Sequence, residues 1–385
     1  MLNFEFHNPT KIVFGKKTIS KLPKLIPAGA KVMIVYGGGS IKKNGIYEQV
    51  TAALKDYDFI EFGGIEPNPE YETCLKAINL AKENNISFLL AVGGGSVIDA
   101  TKFIASGFFF EDGEPWDIIA KASPLEKALP LGCVLTLPAT GSEMNRNSVI
   151  SRRAKNEKMA FRNDISFPKF SILDPEATFS LPETQTVNGI VDAFIHVVEQ
   201  YITYDVNSPL QDRQAEAVLA TLIEEAPKVI NNPKDYDARA NIMWCATTAL
   251  NHSLACGNVG DWATHGIGHG LTITFGLDHG KALAVILPSL WRYQFECKKQ
   301  KLAQMGRRVY GITSSDDEYT ARETIRKTEE FFNSIGMPTK LKHYGITFEQ
   351  CKHIPETFTE KKIFLGEKQN LGEKEIAEII QGAIE

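Results

Sequence analysis

The sequence AKVMIVYGGGS (residues 30–40) joins an apolar, β-branched run directly to three glycines, and ISFLLAVGGGS (residues 86–96) repeats this arrangement. Between these two segments apolar residues recur at the spacing of a helix, as in CLKAINLAKENN at residues 74–85. Continuous apolar strands that alternate with helices are typical of a parallel sheet covered by helices on both faces. Further strands are expected at PLGCVLTLP and KFSILDP. The first half of the chain is therefore predicted to be an α/β domain with a Rossmann-like parallel sheet.

The second half has a different character. After Pro182 the β-branched content drops, and long amphipathic helical patterns continue to the C-terminus. A chain of 385 residues is too long for one compact core, so two domains are expected, with a boundary near residues 178–182. The prediction is an α/β domain at residues 1–180 and an all-helical domain at residues 181–385.

Two short pieces near the start of the chain have the composition of edge strands. They are FEFHN at residues 4–8 and KIVFG at residues 11–15. We expect them to pair at a sheet edge, either as a simple hairpin or as a strand shared between two subunits. The residues themselves do not decide between these two arrangements.

The composition argues against several classes of protein. The formal net charge is -5 and no long Lys/Arg run occurs, so we expect no nucleic-acid partner. No apolar run approaches the length of a membrane span, and the N-terminus MLNFEFHNPTKIVFG does not read as a secretory signal. The six cysteines are scattered without a CxxC pair, which favours reduced thiols and a cytoplasmic protein over a disulfide framework or a zinc ribbon.

Both GGGS turns, at residues 37–40 and 93–96, follow directly after an apolar strand. Glycine at such a place lets the backbone turn sharply and approach a phosphate, and the helix that follows offers free N–H groups to that phosphate. In the second copy we expect Ser96 to be the N-cap, with Asp99 as a capping-box-like partner. Two copies in one α/β segment predict a nucleotide site, although neither copy is the GxGxxG fingerprint.

The first of these turns indicates which dinucleotide is bound. Folds that select NAD usually place an acidic residue against the adenosine ribose hydroxyls. Here Gly38, Gly39 and Ser40 are followed by Lys42 and Lys43. A hydroxyl, spare backbone N–H groups and nearby cations suit a 2′-phosphate, so NADP is favoured over NAD. The alternative is that the two lysines only solvate the first turn of a helix.

The helical half contains VDAFIHVVEQY (residues 191–201), which is apolar around almost the whole circumference of a helix. It nevertheless carries Asp192 and His196 one turn apart, and therefore on one face. A buried carboxylate costs several kcal/mol unless it is paired or bound to a cation. The pair therefore suggests two ligands of a metal ion.

Further candidate ligands follow in DWATHGIGHGLTITFGLDHG, which contains His265, His269 and His279. One carboxylate with several imidazoles is a usual ligand set for a divalent transition metal. The spacing leaves two possibilities open. Either His265 and His269 chelate together, or one of them serves the chemistry while His279 completes the ligand set.

The motifs together resemble the iron-containing (group III) alcohol dehydrogenases, most closely their butanol dehydrogenase and NADPH-dependent aldehyde reductase branch. The resemblance covers nearly the whole chain and includes NPTKIVFG, YGGGSIKKNG, PNPEYE, AVGGGSVIDATK, LPATGSEMNRNSVIS, VDAFIHVVEQY, WATHGIGH and LDHGKALA. It implies an N-terminal α/β domain that binds the dinucleotide and an all-helical C-terminal domain that binds the metal. It also implies a homodimer.

The resemblance assigns roles to individual residues. It makes the metal ligands Asp192, His196, His265 and His279, and it places His269 next to the nicotinamide as a proton relay. It assigns the pyrophosphate to the turn that holds Gly94, Gly95, Ser96 and Asp99. It gives further cofactor contacts to Asn68, Thr136, Thr140, Asn147 and Lys158. Members that prefer NAD have an aspartate at the position of Gly39, which agrees with NADP.

The expected reaction is a reversible hydride transfer between NADP(H), or NAD(H), and a primary alcohol or aldehyde such as butanol or butanal, with Fe²⁺ or Zn²⁺ as the metal. Three aromatic residues, Trp262, Phe275 and Phe194, are expected either in the substrate wall or in the core. Two other reactions suit the same metal ligands. They are those of a dehydroquinate synthase-like lyase and of a metal-dependent hydrolase.

Overall fold

The α/β part of the chain is built on a six-stranded parallel sheet. The computed structural model describes residues 1–155 and 157–385. Its strands are β1 (Lys11–Phe14), β2 (Val32–Tyr36), β3 (Phe59–Phe62), β4 (Phe88–Gly94), β5 (Leu131–Leu137), β6 (Asn147–Arg152), β7 (Glu157–Arg162) and β8 (Phe170–Leu173). The sheet has the order β1-β8-β5-β4-β2-β3, and all its neighbouring pairs are parallel. The predicted parallel sheet is confirmed. Strands β6 and β7 form a separate antiparallel pair.

Helices cover both faces of this sheet. They include α1 (Ile46–Ala53), α2 (Tyr71–Glu83), α3 (Gly95–Phe108) and the short α4 (Asp117–Ala120). Along β2, Met33 and Val35 join an apolar cluster with residues of α2 and α3, whereas Val32 and Ile34 join a second cluster with residues of α1. Side chains of a strand alternate between its two faces. The strands therefore contribute apolar side chains to two cores, which is why their sequences are continuously apolar.

The two glycine turns lie side by side at one edge of the sheet. Strands β2 and β4 are parallel neighbours, with Tyr36 opposite Val92. Each strand runs into its GGGS segment at its C-terminal end, so both segments leave the same edge. This edge is where open α/β sheets bind their ligands.

The start of the chain does not form the expected hairpin. Strand β1 pairs in parallel with β8, and residues 4–8 of the described chain belong to no strand. Asn8 turns the chain here, because its Oδ1 accepts from the Thr10 backbone N–H (3.3 Å) and its Nδ2 donates to the Met144 carbonyl (2.8 Å). Pro9 has no N–H to give to a ladder. The hairpin prediction is therefore wrong, and β1 is an edge strand.

The second half of the chain is helical, as predicted. Its helices are α5 (Glu183–Tyr201), α6 (Pro209–Asn231), α7 (Tyr236–Ala249), α8 (Ala263–Phe275), α9 (His279–Tyr293), α10 (Phe295–Arg308), α11 (Asp317–Ser334), α12 (Phe348–Cys351), α13 (His353–Glu360) and α14 (Glu373–Gly382). Helices α8, α9, α13 and α14 share an apolar core that includes Ile267, Val285, Ile354 and Ile379. Among the described residues, no helix combines the length and the apolar content that a membrane crossing requires.

The chain divides into two compact units, and two segments belong to a different unit from the one that the predicted boundary after residue 180 assigns them to. One unit contains residues 7–181 and 233–247, and the other contains residues 1–6, 182–232 and 248–385. The first residues join the helical unit because the Leu2 N–H donates to the Gly257 carbonyl (3.0 Å). The start of α7 joins the α/β unit, where the Lys16 ammonium lies 4.1 Å from the ring centre of Tyr236.

Helix α3 begins two residues earlier than the sequence suggests, since an N-cap at Ser96 would start the helix at Val97. Its first residue is Gly95 and its N-cap is Gly94, without a side-chain cap. The expected capping-box-like pair of Ser96 and Asp99 is therefore wrong. Both oxygens of the partly buried Asp99 carboxylate are used elsewhere, since one accepts from Ser142 Oγ (2.5 Å) and the other from the Val149 N–H (2.9 Å).

A buried polar network fixes the turn between β5 and β6. The Lys102 ammonium of α3 is fully buried and donates to Ser142 Oγ (2.8 Å), Asn145 Oδ1 (3.0 Å) and the Asn147 carbonyl (2.8 Å). Burial lowers the pKa of Lys102 to about 8, against the opposing charge of Asp99. The turn that follows β5 is thus tied to the helix that follows β4.

Glu143, in the same turn, is a fully buried carboxyl group. Thr247 Oγ1 lies 2.5 Å from Glu143 Oε1 and 3.0 Å from the Met243 carbonyl. A hydroxyl has one proton. If Thr247 donates it to the carbonyl, the carboxyl of Glu143 must donate to Thr247. Burial raises the pKa of Glu143, which agrees with the protonated form.

We predict that Glu143→Gln stabilises the protein more at pH 8 than at pH 5. The unfolded chain releases the Glu143 proton near its ordinary pKa of 4.5, whereas the folded protein keeps it to higher pH. The wild-type free energy of unfolding therefore falls as the pH rises through that window, by about 1.4 kcal/mol per unit of pKa difference. The glutamine side chain of the variant cannot ionise, so its free energy of unfolding does not fall with pH for this reason. Chemical denaturation at both pH values measures it, and a difference between variant and wild type that does not change with pH would contradict a neutral Glu143.

Candidate metal centre and nucleotide site

Helix α5 presents polar side chains on one face of an otherwise apolar helix. Asp192 and His196 are 3% and 4% exposed, and Glu199, a further turn along, is 3% exposed. The spacings of four and three residues place all three on one face. His265 lies in the first turn of α8, and His279 is the first residue of α9. Three helices thus bring the predicted ligands together.

The four predicted ligands converge around one carboxylate oxygen. Asp192 Oδ1 lies 3.6 Å from one ring nitrogen of each of three histidines, His196, His265 and His279. This is too long for a hydrogen bond, but it is close to the separation of about 3.4 Å between ligand atoms on a tetrahedral ion with bonds of about 2.1 Å. The donor atoms of Asp192, His265 and His279 all lie within 4.8 Å of one another. His196 approaches Asp192 without belonging to this tighter group of three.

The buried polar atoms of this cluster fit a cation. Among the described residues, Asp192 Oδ1, His196 Nδ1 and His265 Nε2 are buried and have no hydrogen-bond partner. Buried polar atoms are almost always paired. A divalent ion accepts one lone pair from each of these atoms, so the donor set suits a metal better than it suits the bare protein.

The protonation of the cluster is consistent with this assignment. Burial would raise the pKa of Asp192, but the nearby histidines outweigh burial and hold it below its usual value. Burial lowers the pKa of His196 to about 4, so its imidazole is neutral at pH 7. Burial also works to lower the pKa of His265, yet the Glu199 and Asp192 carboxylates raise it to about 9. A proton and a metal ion therefore compete for His265.

Glu199 is a site residue that the sequence argument missed. Its carboxylate accepts from the Thr264 backbone N–H (2.6 Å) and contacts His265 Nδ1. The signal was present, because Glu199 is the third polar residue on the face that carries Asp192 and His196. Only the partner on α8, which is distant in sequence, reveals what the carboxylate does.

His269 stands apart from the tight cluster. It lies one turn after His265 on α8, with its ring centre 6.4 Å from that of His265 and 5.4 Å from that of His279. It is partly exposed, whereas His265 is buried. The spacing left open whether His269 or His279 joins the ligand set. In the structure His279, and not His269, lies 3.6 Å from Asp192 Oδ1, as the second possibility requires.

The three aromatic candidates separate into core and site. Phe194 is fully buried and packs against Phe331 and Phe332, so it belongs to the core. Trp262 is 36% exposed, and its ring centre lies 5.7 Å from that of His265. The aromatic ring of Trp262 therefore borders the cluster formed by Asp192 and the three histidines. Phe275 packs at the edge of the core shared by α8 and α9.

A glycine sets the position of His279. A Cβ on Gly280 would lie 2.8 Å from the Asn188 carbonyl oxygen and 2.9 Å from Asn188 Cα. Backbone atoms cannot give way as the end of a side chain can. The first turn of α9 therefore touches the backbone of α5 closely enough to bring His279 next to Asp192, and any side chain at Gly280 would push the two helices apart.

The second GGGS turn is close-packed, whereas the first is open. Cβ atoms on Gly93, Gly94 and Gly95 would lie within 3 Å of Val97, Leu137 and Thr140 respectively. Gly38 and Gly39 have no such neighbour within 4 Å, and Gly39 has φ +88°. The first turn has room for a ligand group beside its backbone, and the second presents the N-terminus of α3 in a fixed position.

Several predicted cofactor residues are hydrogen-bonded to one another. The Asn68 N–H donates to Ser96 Oγ (3.3 Å), and Lys158 Nζ donates to Asn68 Oδ1 (2.7 Å). Asn68 has φ +60°, which only a few non-glycine residues adopt. Thr140 packs against Gly95, Thr136 lies at the end of β5, and Asn147 begins β6. The structure thus joins Asn68, Ser96 and Lys158 directly, and Asp99 supports the neighbouring turn from inside.

Lys42 already has a counter-ion. Its Nζ lies 2.7 Å from Glu61 Oε2, and Glu61 also accepts from the hydroxyls of Tyr36 and Tyr47. The ammonium lies 5.0 Å and 4.7 Å from the ring centres of these two tyrosines. Sequence reasoning counted Lys42 as a cation for a 2′-phosphate and did not see Glu61. Lys43 is exposed, and no ion pair joins it to another of the described residues.

We predict that Gly280→Ala weakens metal binding while the protein remains folded. The added methyl group displaces the start of α9 and moves His279 away from Asp192, because backbone atoms block its place. Metal content after dialysis against a fixed metal concentration measures the effect. Gly276→Ala is the control for helix-end strain, since Gly276 ends α8 with φ +68° and has open space around it. Equal metal contents in both variants would contradict the role given to Gly280.

The comparisons with known proteins agree on one family. The sequence matches the family models described as "Iron-containing alcohol dehydrogenase" over residues 9–175 and "Fe-containing alcohol dehydrogenase family, C-terminal" over residues 186–384. The NADPH-dependent aldehyde reductase YqhD of Escherichia coli K12 is 50% identical over 348 residues, which are 90% of this chain and 90% of that protein. The NADH-dependent butanol dehydrogenase A of Clostridium acetobutylicum is 42% identical and covers 90% of each chain.

A solved structure shows the same fold. The crystal structure of the NADH-dependent butanol dehydrogenase A from Thermotoga maritima is similar with a TM-score of 0.96 and 36% identity, and covers 100% of this chain and 99% of that chain. The resemblance drawn from the sequence motifs is confirmed. With both family models matched, and with the cluster of one aspartate and three histidines in its helical unit, the chain belongs to the iron-containing alcohol dehydrogenase family.

Proposed function

We propose that this protein is an NADP(H)-dependent alcohol dehydrogenase and aldehyde reductase that interconverts primary alcohols and aldehydes. A hydride passes from C4 of the reduced nicotinamide to the carbonyl carbon of a primary aldehyde such as butanal, and one proton from the protein or solvent completes the alcohol. The observation that carries the proposal is the position of Asp192 Oδ1, 3.6 Å from a nitrogen of each of three histidines.

The proposed ligands of the metal are Asp192, His196, His265 and His279, with Fe²⁺ or Zn²⁺ as the ion. When bound, such an ion supplies a Lewis acid that polarises a carbonyl group and stabilises negative charge on its oxygen. Asp192 contributes the negative charge of the ligand set, and the neutral His196 contributes a lone pair. The apolar face of α5 excludes water around both residues.

We assign the proton of the reductive reaction to a ring nitrogen of His269. An imidazole releases and recovers a proton near neutral pH without a large penalty. His269 lies near the cluster but outside the set of nitrogens that approach Asp192 at 3.6 Å, so it is not needed as a ligand. A bound water is the alternative source of this proton.

The nucleotide is proposed to bind along the edge of the sheet that carries both glycine turns. The N-terminus of α3, with Gly94, Gly95 and Ser96, suits the pyrophosphate. Asn68, Thr136, Thr140, Asn147 and Lys158 are the proposed lining residues. Asp99 acts through the turn that it holds, because both of its oxygens accept hydrogen bonds inside the unit.

Gly38, Gly39 and Ser40 are the proposed site of the 2′-phosphate, which selects NADP over NAD. The open space beside Gly38 and Gly39 supports this choice. So does the 50% identity to an aldehyde reductase whose name states NADPH dependence, against 42% to a butanol dehydrogenase whose name states NADH dependence. These relatives are oxidoreductases and give no support to the lyase or hydrolase alternatives.

We further propose that the protein is a cytoplasmic homodimer. Strand β1 is an edge strand whose outer side has no partner strand in the described chain. In the preceding segment Phe4 and Phe6 are 53% and 49% exposed, and a second copy would cover such side chains. All six cysteines are free thiols, which suits a reducing compartment.

Asp192→Asn is expected to abolish metal binding and turnover. The neutral amide removes the only negative charge of the proposed ligand set. Loss of a residue that merely supports a metal ligand typically lowers metal affinity roughly 10- to 100-fold, and we expect a larger loss here. Elemental analysis combined with aldehyde-dependent NADPH oxidation measures both. Asp212→Asn is the matched control, because Asp212 is also buried in the helical unit but pairs with Lys301. Full metal content and activity in Asp192→Asn would refute the proposed centre.

Gly39→Asp is expected to lower the ratio of kcat/KM for NADPH to that for NADH by about tenfold or more, since 1.4 kcal/mol of charge repulsion is worth a factor of ten. Gly39→Asn is the matched control, because it has the same size and the same strain at φ +88° but no charge. Initial rates with both cofactors give the ratios. If Asp and Asn change the ratio equally, the 2′-phosphate does not bind beside Gly39.

A further inference from the structure

Glu199 bridges two groups that belong to the start of α8. One carboxylate oxygen, Oε1, accepts from the Thr264 backbone N–H (2.6 Å), and the other, Oε2, contacts His265 Nδ1. The carboxylate is 2% exposed, and solvent does not compete for these contacts. Glu199 does not belong to the group of donor atoms formed by Asp192, His265 and His279. It therefore acts on the cluster through His265.

The contact with Glu199 decides which nitrogen of His265 is available. An ionised carboxylate only accepts hydrogen bonds, so His265 must donate from Nδ1. In the neutral ring the lone pair is then on Nε2. This atom is buried, has no hydrogen-bond partner among the described residues and lies 3.6 Å from Asp192 Oδ1. The tautomer imposed by Glu199 directs the lone pair of His265 into the cluster.

We propose that Glu199 is a positioning residue that fixes the tautomer and the orientation of His265, and that the metal affinity of the site depends on this carboxylate. The proposal rests on the proposed function, since it takes His265 as a metal ligand. A carboxylate behind a ligating histidine holds the ring in place and increases its basicity. Glu199 extends the ligand-bearing face of α5 by one turn, so a single helix supplies two proposed ligands and the support for a third.

The side chain must be a carboxylate and not an amide. Both partners of Glu199 are donors, the Thr264 N–H and the His265 Nδ1–H. A glutamine has one oxygen and one NH₂ group, and can accept from only one of them. Its NH₂ group would face the other donor, or would force His265 into the tautomer with the proton on Nε2. In the first case the NH₂ group opposes the Thr264 N–H and displaces the side chain that holds the His265 ring, and in the second case the lone pair of His265 faces away from the cluster.

The backbone of Glu199 makes a separate contact that the substitution leaves intact. Its carbonyl accepts from the Asp261 N–H (2.8 Å), and Asp261 in turn pairs with the buried Lys298. The loop before α8 therefore stays attached to α5 in Glu199→Gln. The effect of the variant is confined to the side-chain contacts with Thr264 and His265.

The test compares Glu199→Gln with the wild type and with Glu216→Gln. Glu216 is another buried carboxylate of the helical unit, which accepts from the Tyr201 hydroxyl (2.7 Å), so its substitution controls for an amide in place of a buried acid. Each protein is stripped of metal, and its affinity for Co²⁺ is measured by competition with a chelator. The visible absorption bands of the Co²⁺-loaded proteins report the ligands directly.

We expect Glu199→Gln to bind Co²⁺ about 10- to 100-fold more weakly and to shift the absorption bands. Glu216→Gln should keep the affinity and the spectrum of the wild type. A wild-type affinity and spectrum in Glu199→Gln would overturn the role of Glu199. Failure of the wild type to bind Co²⁺ at all would instead overturn the proposed metal site.

A second measurement is made on the wild type and does not depend on the folding of Glu199→Gln. In the Zn²⁺-loaded wild type with ¹⁵N-labelled histidine, ring NMR identifies the protonated nitrogen of His265, with His265→Gln used for assignment. A proton on Nδ1 is the expected result. A proton on Nε2 would overturn the proposal, because the lone pair would then face Glu199 and not the cluster.

Discussion

A buried carboxylate is the constraint on which the helical unit depends. Asp192 is 3% exposed on a helix whose neighbouring side chains are almost all apolar. Taking such a charge out of water costs several kcal/mol unless opposite charge compensates it. Three histidines approach its Oδ1 at 3.6 Å, a distance that suits a shared ion and not direct hydrogen bonds. The surrounding packing is arranged to keep these four groups together.

Two of the proposed ligands, His265 and His279, are held in place by neighbouring residues. His265 is held by Glu199, and the start of α9, which carries His279, is brought close to α5 by Gly280. In the α/β unit the same principle holds at the glycine turns. The N-terminus of α3 is packed tightly, and the neighbouring turn is fixed by hydrogen bonds from the buried Lys102 and to the Asp99 carboxylate. The groups that are proposed to meet ligands are thus held in place by hydrogen bonds and close packing from neighbouring residues.

The sequence predicts the fold and singles out the polar pair of Asp192 and His196 on α5, but it does not predict the residues that hold the turns and the cluster in place. Continuous apolar strands, two glycine turns and the pair of Asp192 and His196 are local patterns, and each is legible within about ten residues of sequence. The partners of Glu199, Glu61 and Asp99 come from segments distant in sequence, so no spacing rule identifies them. Sequence reasoning therefore gave Asp99 to a helix cap and Lys42 to a phosphate, and it did not weigh Glu199 or Glu61. It also left the first residues open between an edge hairpin and a strand shared between subunits, because β8, the partner of β1, lies far away in the sequence.

The most direct test of the central claim is X-ray absorption spectroscopy of the protein loaded with one equivalent of Zn²⁺ or Fe²⁺. Asp192, His196, His265 and His279 predict a first coordination shell of nitrogen and oxygen at about 2.1 Å, with the outer-shell scattering of three imidazole rings. Sulfur in that shell, or the scattering of fewer than two imidazoles, would place the ion elsewhere and contradict the account.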